Sequence, residues 1–439
     1  MNSSESSSPW PARTLGALYR ATRQREDGFA AAALVTVAFH GAALLLYGAG
    51  SILLARALGP QQWGYVVWFI TGTTTIAMFA DVFGFYTASA YRVASASSAF
   101  DLARATGTVL LYGLAVGVVA GAVFGWPGPL GQLVFPGFAD RAWSALIALN
   151  VAGTAVFWQV RGLYWGRRNF LGLGALTLGR SGGFALLAVA LVYSFGWQDA
   201  PGVAAAHVAT TWLTVLGALA AFGRIARPEA AHLRACLGVG WRATGVNWLS
   251  FLHLRADQYL VNRLLGSHAL GLYGVAVSLG EAITQVPGML GMVIFPLAAG
   301  SSDAQRAARH TLRRTMALMV ALGAVMVPLG MAAPALVRLL FGEAFLGAAP
   351  LVRAFLPAVV FLSALLLVNN HISGLGYPSF QIFATALALA LNVAVNLALL
   401  PRVGVVGAAI ASSVSYGVWL ALAGGYLRRR AHARRGGNF

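Results

Sequence analysis

A helix needs about twenty consecutive apolar residues to cross the hydrocarbon core of a bilayer. This 439-residue chain divides into twelve stretches of that kind. They lie near 29–56, 65–91, 106–125, 142–165, 171–196, 203–223, 243–264, 269–297, 315–340, 349–371, 379–400 and 404–427, spans one to twelve in chain order. In lipid every backbone N–H and C=O must find its partner within the protein, and runs of this length do so as helices. Composition points the same way: 59% of residues are hydrophobic and 10% charged, with a mean hydropathy of +0.73, whereas about a quarter of a soluble chain is charged. The expectation is an all-α polytopic membrane protein. No soluble domain is visible, since the longest polar stretch is Met1 to Asp27. That stretch is serine-rich but has no short apolar core before a small-residue cleavage site, so no cleaved signal peptide is expected.

The spans repeat. The skeleton R-x-L-G-x-x-x-x-G set by Arg56, Leu58, Gly59 and Gly64 returns at Arg263, Leu265, Gly266 and Gly271, an offset of 263 − 56 = 207. A second echo pairs Gly202 to Thr211 (GVAAAHVATT) with Gly404 to Ser413 (GVVGAAIASS), an offset of 404 − 202 = 202. Two unrelated anchors give nearly the same period, close to half the chain. Internal repeats of this sort are typical of secondary transporters, whose halves move against each other around a site between them.

Charge placement sets the orientation. All thirty basic residues are arginine. With no lysine the chain has neither the phosphate-contacting lysine of a Walker A loop nor the amine of a Schiff base. The net charge of +18 does not call for nucleic acid, because the arginines sit in alternate connections. With a cytoplasmic N-terminus, 21 arginines fall inside: those of the N-terminal tail, of the even-numbered connections from Arg92 to Arg314, and of the segment after Leu427. At most five face outside: Arg56, Arg141, Arg263, Arg338 and Arg402. That bias places both termini in the cytoplasm.

The longest central polar segment, Arg224 to Arg242, divides the spans six and six. The expected organisation is a cytoplasmic tail (1–28), an N-terminal six-helix bundle (29–225), a cytoplasmic linker (226–242), a C-terminal six-helix bundle (243–427) and a basic tail (428–439). An even number of spans per half makes the two bundles pseudo-symmetric about an axis along the membrane normal. The outer connections, such as Gly59 to Gly64, are expected to be short loops. Their acids, Asp140, Asp199 and Glu343, are scattered, so no cooperating pair of catalytic carboxylates is visible and no enzyme is expected. One cysteine, Cys236, leaves no intrachain disulfide or thiolate metal cluster, and no cofactor is expected.

Polar groups at membrane depth are costly unless they face protein or water, so each is a functional candidate. Seven are charged: Arg161, Arg180, Arg255, Arg353, Asp81, Asp257 and Glu281. Structural pairing between helices is the competing role for all of them. Arg255 and Asp257, two residues apart, point in nearly opposite directions around a helix and look to different neighbours. His253 lies four before Asp257 and shares its face, which suits either a proton relay or a buried hydrogen-bonded histidine. Glu281 and Gln285 share a face of span eight ahead of Pro287 and Gly288, which can break the helix and expose carbonyls to a cavity or simply accommodate packing. Asn392 and Asn396 on span eleven suit interhelical hydrogen bonds. Arg180, among Gly179, Gly182 and Gly183, sits near mid-membrane, where its planar fork fits phosphate or carboxylate and stays charged. Four arginines against three acids favour an anionic substrate.

Six stretches carry a resemblance: Leu53 to Tyr65 (LLARALGPQQWGY), Asp81 to Arg92 around D-x-x-G, Leu254 to Ala276 (LRADQYLVNRLLGSHALGLYGVA), Val293 to Pro296 (VIFP), Leu340 to Phe345 (LFGEAF) and Asn392 to Tyr416. Together they resemble the polysaccharide, or Wzx-type, flippase branch of the multidrug, oligosaccharidyl-lipid and polysaccharide exporter superfamily. The resemblance implies translocation of an undecaprenyl-diphosphate-linked oligosaccharide across the bacterial inner membrane by alternating access, for surface or exopolysaccharide synthesis. It implies membrane lipid, polysaccharide polymerase or glycosyltransferases as partners. Asp81, Arg255 and Asp257 are its motif positions; Arg255 and Arg180, with Arg161 and Arg353, are expected as substrate contacts facing the cavity between the bundles, and Asp257, Asp81, Glu281 and His253 as coupling or ion-pair groups. A gate is expected where the repeated motifs end spans one and seven. Twelve spans, against the fourteen of related lipid II flippases, weigh against lipid II as cargo. Two other readings remain: a cation-coupled drug exporter of the same superfamily, using the membrane acids, and a non-transporting assembly partner in a polysaccharide machine.

Overall fold

A computed structural model describes residues 28–432 except 82–83, 85, 87–98, 139, 168, 223–224, 300–302 and 376–377. The tail 1–27, Arg92, Arg168, Arg224 and residues 433–439 therefore lie outside the described residues, as does most of the Asp81 to Arg92 stretch. Among the described residues there are helices and no strand. Ten helices are long and apolar enough to cross a membrane, and two of them, Ala38–Ala80 and Trp248–Gly291, run to 43 and 44 residues. Each of those is twice the length one crossing needs. Each is also interrupted once, at Gly59 (φ 72, ψ 172) and at Gly266 (φ 84, ψ 176). Only glycine enters that region without a steric penalty on its Cβ. Gly59 also precedes Pro60, which disfavours helical dihedrals in the residue before it and then starts the next helix with a φ already suited to it. Two interrupted helices and eight single ones make twelve spans.

The single spans are Ala99–Gly125, Arg141–Gly166, the broken span five, Ala200–Phe222, Ala304–Phe341, Ala349–Gly374, Ser379–Val403 and Val406–His432. Span five is built from Phe170–Thr177, a π-helical turn Leu178–Gly182, and Gly183–Phe195. One expectation changes, and the backbone adds two further points. Gly59 to Gly64 is not a loop: helix resumes at Pro60, because a single ε-region glycine makes the whole break. The segment after Arg227 is helical from Ala230 and runs on into span seven. Pro287 and Gly288 leave span eight unbroken, with Gly266 the one non-helical residue inside that helix.

The repeat recurs in the backbone. Positive-φ glycines lie after every odd-numbered span: Gly59, Gly137 and Gly196 in the first half, Gly266, Gly342 and Gly404 in the second. Their pairwise offsets are 266 − 59 = 207, 342 − 137 = 205 and 404 − 196 = 208. The acids of these connections are structural groups. Asp140 and Asp199 accept backbone N–H bonds at helix starts, from Trp143 at 2.8 Å and Gly202 at 2.7 Å, and Glu343 pairs with Arg338 at 2.5 Å.

Two compact units result. The first comprises residues 28–51, Ile76–Leu133 and Phe138–Thr244; the second comprises Ile52–Thr75, Val134–Gly137 and 245–432. In the first, span three presents Gly113, Gly117, Gly121 and Gly125 to span four. A Cβ at Gly121 would lie 2.6 Å from the Ala148 oxygen, and one at Gly117 2.8 Å from the Ala152 Cα. Such a stripe of small residues every four positions lets two helices approach backbone to backbone in lipid. In the second unit the starts of spans two and eight meet the same way, at Gly64 and Gly271.

Candidate functional site

In the first unit the π-turn carries Arg180. A π-turn adds one residue to the helical ladder and rotates the helix beyond it, and such turns are frequent at functional positions. The Arg180 Nη2 donates to Thr154 Oγ1 at 3.0 Å and its guanidinium lies 4.7 Å from the Phe157 ring. Its Nε is buried without an acceptor. Arg161 lies further along the same face of span four, 5.4 Å over the Trp158 ring and beside Tyr86. Tyr86 in turn packs edge-on to Trp158 at 5.4 Å and stacks on Trp165 at 5.7 Å. Positions 154, 157, 158, 161 and 165 share one helix face by their i, i+3, i+4, i+7 spacing. The result is a strip of two arginines among aromatic rings. Neither arginine meets a carboxylate among the described residues. Two cationic groups left without an acid are a standing preference for an anion.

Asp81 ends span two and is held by three donors: the Tyr86 N–H at 3.1 Å, the Tyr112 hydroxyl at 3.2 Å and Gln159 Nε2 at 3.4 Å. The turn of its D-x-x-G motif closes through Gly84 N–H to Asp81 O at 3.0 Å, with Gly84 at φ 60. Nearby in span four, Asn150 Oδ1 lies 3.0 Å from His207 Nδ1 of span six, both buried. That pair and Thr154 were not among the sequence candidates. Each was visible as a polar residue inside an otherwise apolar run.

The second unit treats its charges differently. Arg255 of span seven pairs with Glu281 of span eight at 2.6 Å, with a quarter of the arginine side chain exposed. Asp257 points elsewhere and is buried. It accepts from the Tyr273 hydroxyl at 2.5 Å, the Ser412 hydroxyl at 2.9 Å and the Gln258 N–H at 2.7 Å. A carboxylate with three donors has little need of a cation. His253 is fully buried, 2.9 Å from Ser415 Oγ, and stacks on Trp419 with centroids 5.2 Å apart. No hydrogen bond joins His253 to Asp257: they reach two different serines of span twelve. Asn392 reaches across to Ser415 at 3.1 Å, and Asn396 bonds back to Asn392. Arg353 is exposed near the start of span ten and donates to the Gly330 oxygen of span nine at 2.8 Å.

The structure thus brings Arg161, Arg180 and Asp81 into the first unit's polar strip. It places Arg255, Asp257, Glu281 and His253 in two separate networks of the second, with Arg353 apart from both. Among the described residues no group of three His, Cys, Asp or Glu side chains is arranged to hold a metal ion.

Comparison with solved structures gives the fold. The chain superposes on a lipid II flippase MurJ in an inward closed conformation with a TM-score of 0.73, at 11% identity, over 90% of this chain and 87% of that one. An inward-facing multidrug resistance MATE transporter of the MOP superfamily gives 0.68, at 16% identity, over 91% and 98%. An outward-facing MATE transporter gives 0.57, at 16% identity, over 91% and 95%. No curated protein matches the sequence. A family model described as polysaccharide biosynthesis protein matches residues 53–350, well over half of the chain. This multi-pass membrane protein therefore belongs to the polysaccharide biosynthesis protein family and shares the fold of those MATE transporter and MurJ structures.

Proposed function

We propose that this protein moves an undecaprenyl-diphosphate-linked oligosaccharide from the inner to the outer leaflet of a bacterial cytoplasmic membrane, with both termini inside. The observation that carries the reading is the pair Arg161 and Arg180, two charges at membrane depth that form no ion pair among the described residues, on a face rich in aromatic rings. A diphosphate or acidic sugar supplies the missing negative charge, and the rings offer apolar faces to pyranose rings. Unaided flipping fails because a hydrated head cannot enter hydrocarbon without its hydrogen bonds. The protein's task is to shelter that head while the polyprenyl tail stays in lipid. The tight meeting of spans two and eight at Gly64 and Gly271 suits a gate at the end of the repeated motifs.

The drug-exporter reading needs a membrane carboxylate open to a cation. Glu281 is paired with Arg255 and Asp257 is occupied by three donors, which weighs against it. The assembly-partner reading predicts no transport by the isolated protein. Reconstitution into vesicles with a fluorescent polyprenyl-diphosphate sugar tests the proposal: protein-dependent loss of the label from one leaflet supports it, and an unchanged distribution with correctly folded protein sinks it.

A further inference from the structure

The first unit contains a cleft of about 650 Å³ that lies apart from the arginine strip. It exists because span five leans away from span six below its π-turn: Gly183–Phe195 packs along span six, whereas Phe170–Thr177 touches it at few points. Gly172, Ala175 and Gly179 form one wall, Gly217, Ala218 and Ala221 the other. Tyr164 closes the floor, its hydroxyl donating to the Ala218 oxygen at 2.9 Å. Gly217 and Ala221 are exposed, so the cleft is open along one side. At the turn between spans four and five it ends at Asn169 and Arg167. Asn169 is committed to capping span five through the Gly172 N–H at 2.9 Å, and Arg167 is the charged residue among those lining the cleft.

The dimensions match one leaflet. From Asn169 to Gly179 is ten residues, roughly 15 Å along a helix, or half of the ~30 Å hydrocarbon core. The cleft therefore has an arginine at headgroup level and mostly apolar walls from there to about mid-membrane. A water-soluble solute would have to shed its hydration to enter among apolar walls. A lipid tail enters from its own solvent.

We propose that this cleft holds the isoprenoid tail of a phosphate-headed membrane lipid, with the phosphate at Arg167. Resting on the function proposed above, the occupant is the tail of the lipid-linked substrate, engaged from the leaflet where the arginine-rich turns lie. Glycine and alanine walls leave room for the methyl branch on every isoprene unit, which a linear acyl chain does not need.

The test uses purified full-length protein in detergent, with undecaprenyl phosphate as the probe and phosphatidylglycerol as the linear-tailed competitor, read by native mass spectrometry. Gly217 lines the cleft and a Cβ there meets nothing within 4 Å, so Gly217→Leu adds bulk at that wall with no clash at its Cβ. Ala175→Leu does so from the other wall, should the first variant fold poorly. Retention of undecaprenyl phosphate is expected to fall about tenfold in either variant, the effect of losing roughly two buried methylenes, and severalfold in Arg167→Gln. Unchanged retention in the folded variants overturns the site. Equal retention and equal loss of phosphatidylglycerol also overturns it, assigning the cleft to bulk lipid. Vesicle transport of a lipid-linked sugar keeps the two readings separate. Lipid held in the cleft without any sugar movement removes the transport function but leaves the site, while transport with unchanged retention removes the site alone.

Discussion

Gly64 and Gly271, equivalent positions of the internal repeat, face each other backbone to backbone in the second unit. A Cβ on Gly64 would overlap the Ser267 carbonyl oxygen, and a Cβ on Gly271 would overlap that of Pro60. The contact is reciprocal, as a two-fold related pair of helix starts must be. No side chain can stand at either position without parting spans two and eight.

Separation of those helix starts should therefore be measurable. With Cys236 replaced by Ser, a cysteine at Ser267 is expected to react with a small thiol reagent several-fold faster in Gly64→Val than in its absence, and export should fall while the protein still inserts. Unchanged reactivity at Ser267 would show that the helices meet differently.

Topology is tested with the same chemistry. Cysteines at Gln62 and Ser267, beside the two glycine breaks, are expected to react with an impermeant reagent added to intact cells, and one at Ala304 only after lysis. Labelling of Ala304→Cys in intact cells inverts the proposed orientation.

Arg180 separates charge from geometry. Lys keeps the charge but loses the planar fork, so Arg180→Lys is expected to reduce transport about tenfold, and Arg180→Ala to abolish it with normal membrane abundance. Normal export in Arg180→Ala, at normal abundance, removes the anionic-substrate argument.

Arg255 should behave in the opposite way. Because its guanidinium is paired with Glu281, Arg255→Ala is expected to lower the amount of protein in the membrane by leaving a carboxylate unmatched. Adding Glu281→Ala should restore that amount. Immunoblots of membrane fractions decide; a double variant as scarce as the single one excludes pairing as the role.

Asp257 is expected to act through stability. Replacing it with Asn weakens an acceptor that serves three donors, at a cost of about 1–3 kcal/mol, whereas Tyr273→Phe or Ser412→Ala removes one donor and costs about 1 kcal/mol. Thermal unfolding in detergent gives the order. A fully stable Asp257→Asn whose transport loses its pH dependence would instead make Asp257 a coupling residue.

The spans and the repeat were legible because membrane depth imposes a length, and because a glycine-only backbone conformation recurs at fixed intervals. The same reasoning would have reached the stripe Gly113, Gly117, Gly121 and Gly125, whose four-residue spacing is plain in the sequence. Partners between helices were not legible. Arg255 and Glu281 are 26 residues apart on consecutive spans, and their meeting depends on how far span eight is rotated after Gly266. His253 and Asp257 share a helix face as expected, yet a helix turn apart they reach Ser415 and Ser412 separately. The π-turn at Arg180 leaves no mark in apolar periodicity, since it displaces the register by a single residue.

Two connections, after spans one and seven, are made by single glycines, and the one after span eleven is scarcely longer. The ends of spans one, seven and eleven consequently offer almost no polypeptide beyond the helices themselves. On the function proposed above, an enzyme that received cargo at these three ends would have no loop there to grip. Its grip would fall on helix flanks within the plane of the bilayer, and handover would then be a lateral encounter between lipid-immersed surfaces, governed by two-dimensional diffusion and by which lipids separate them.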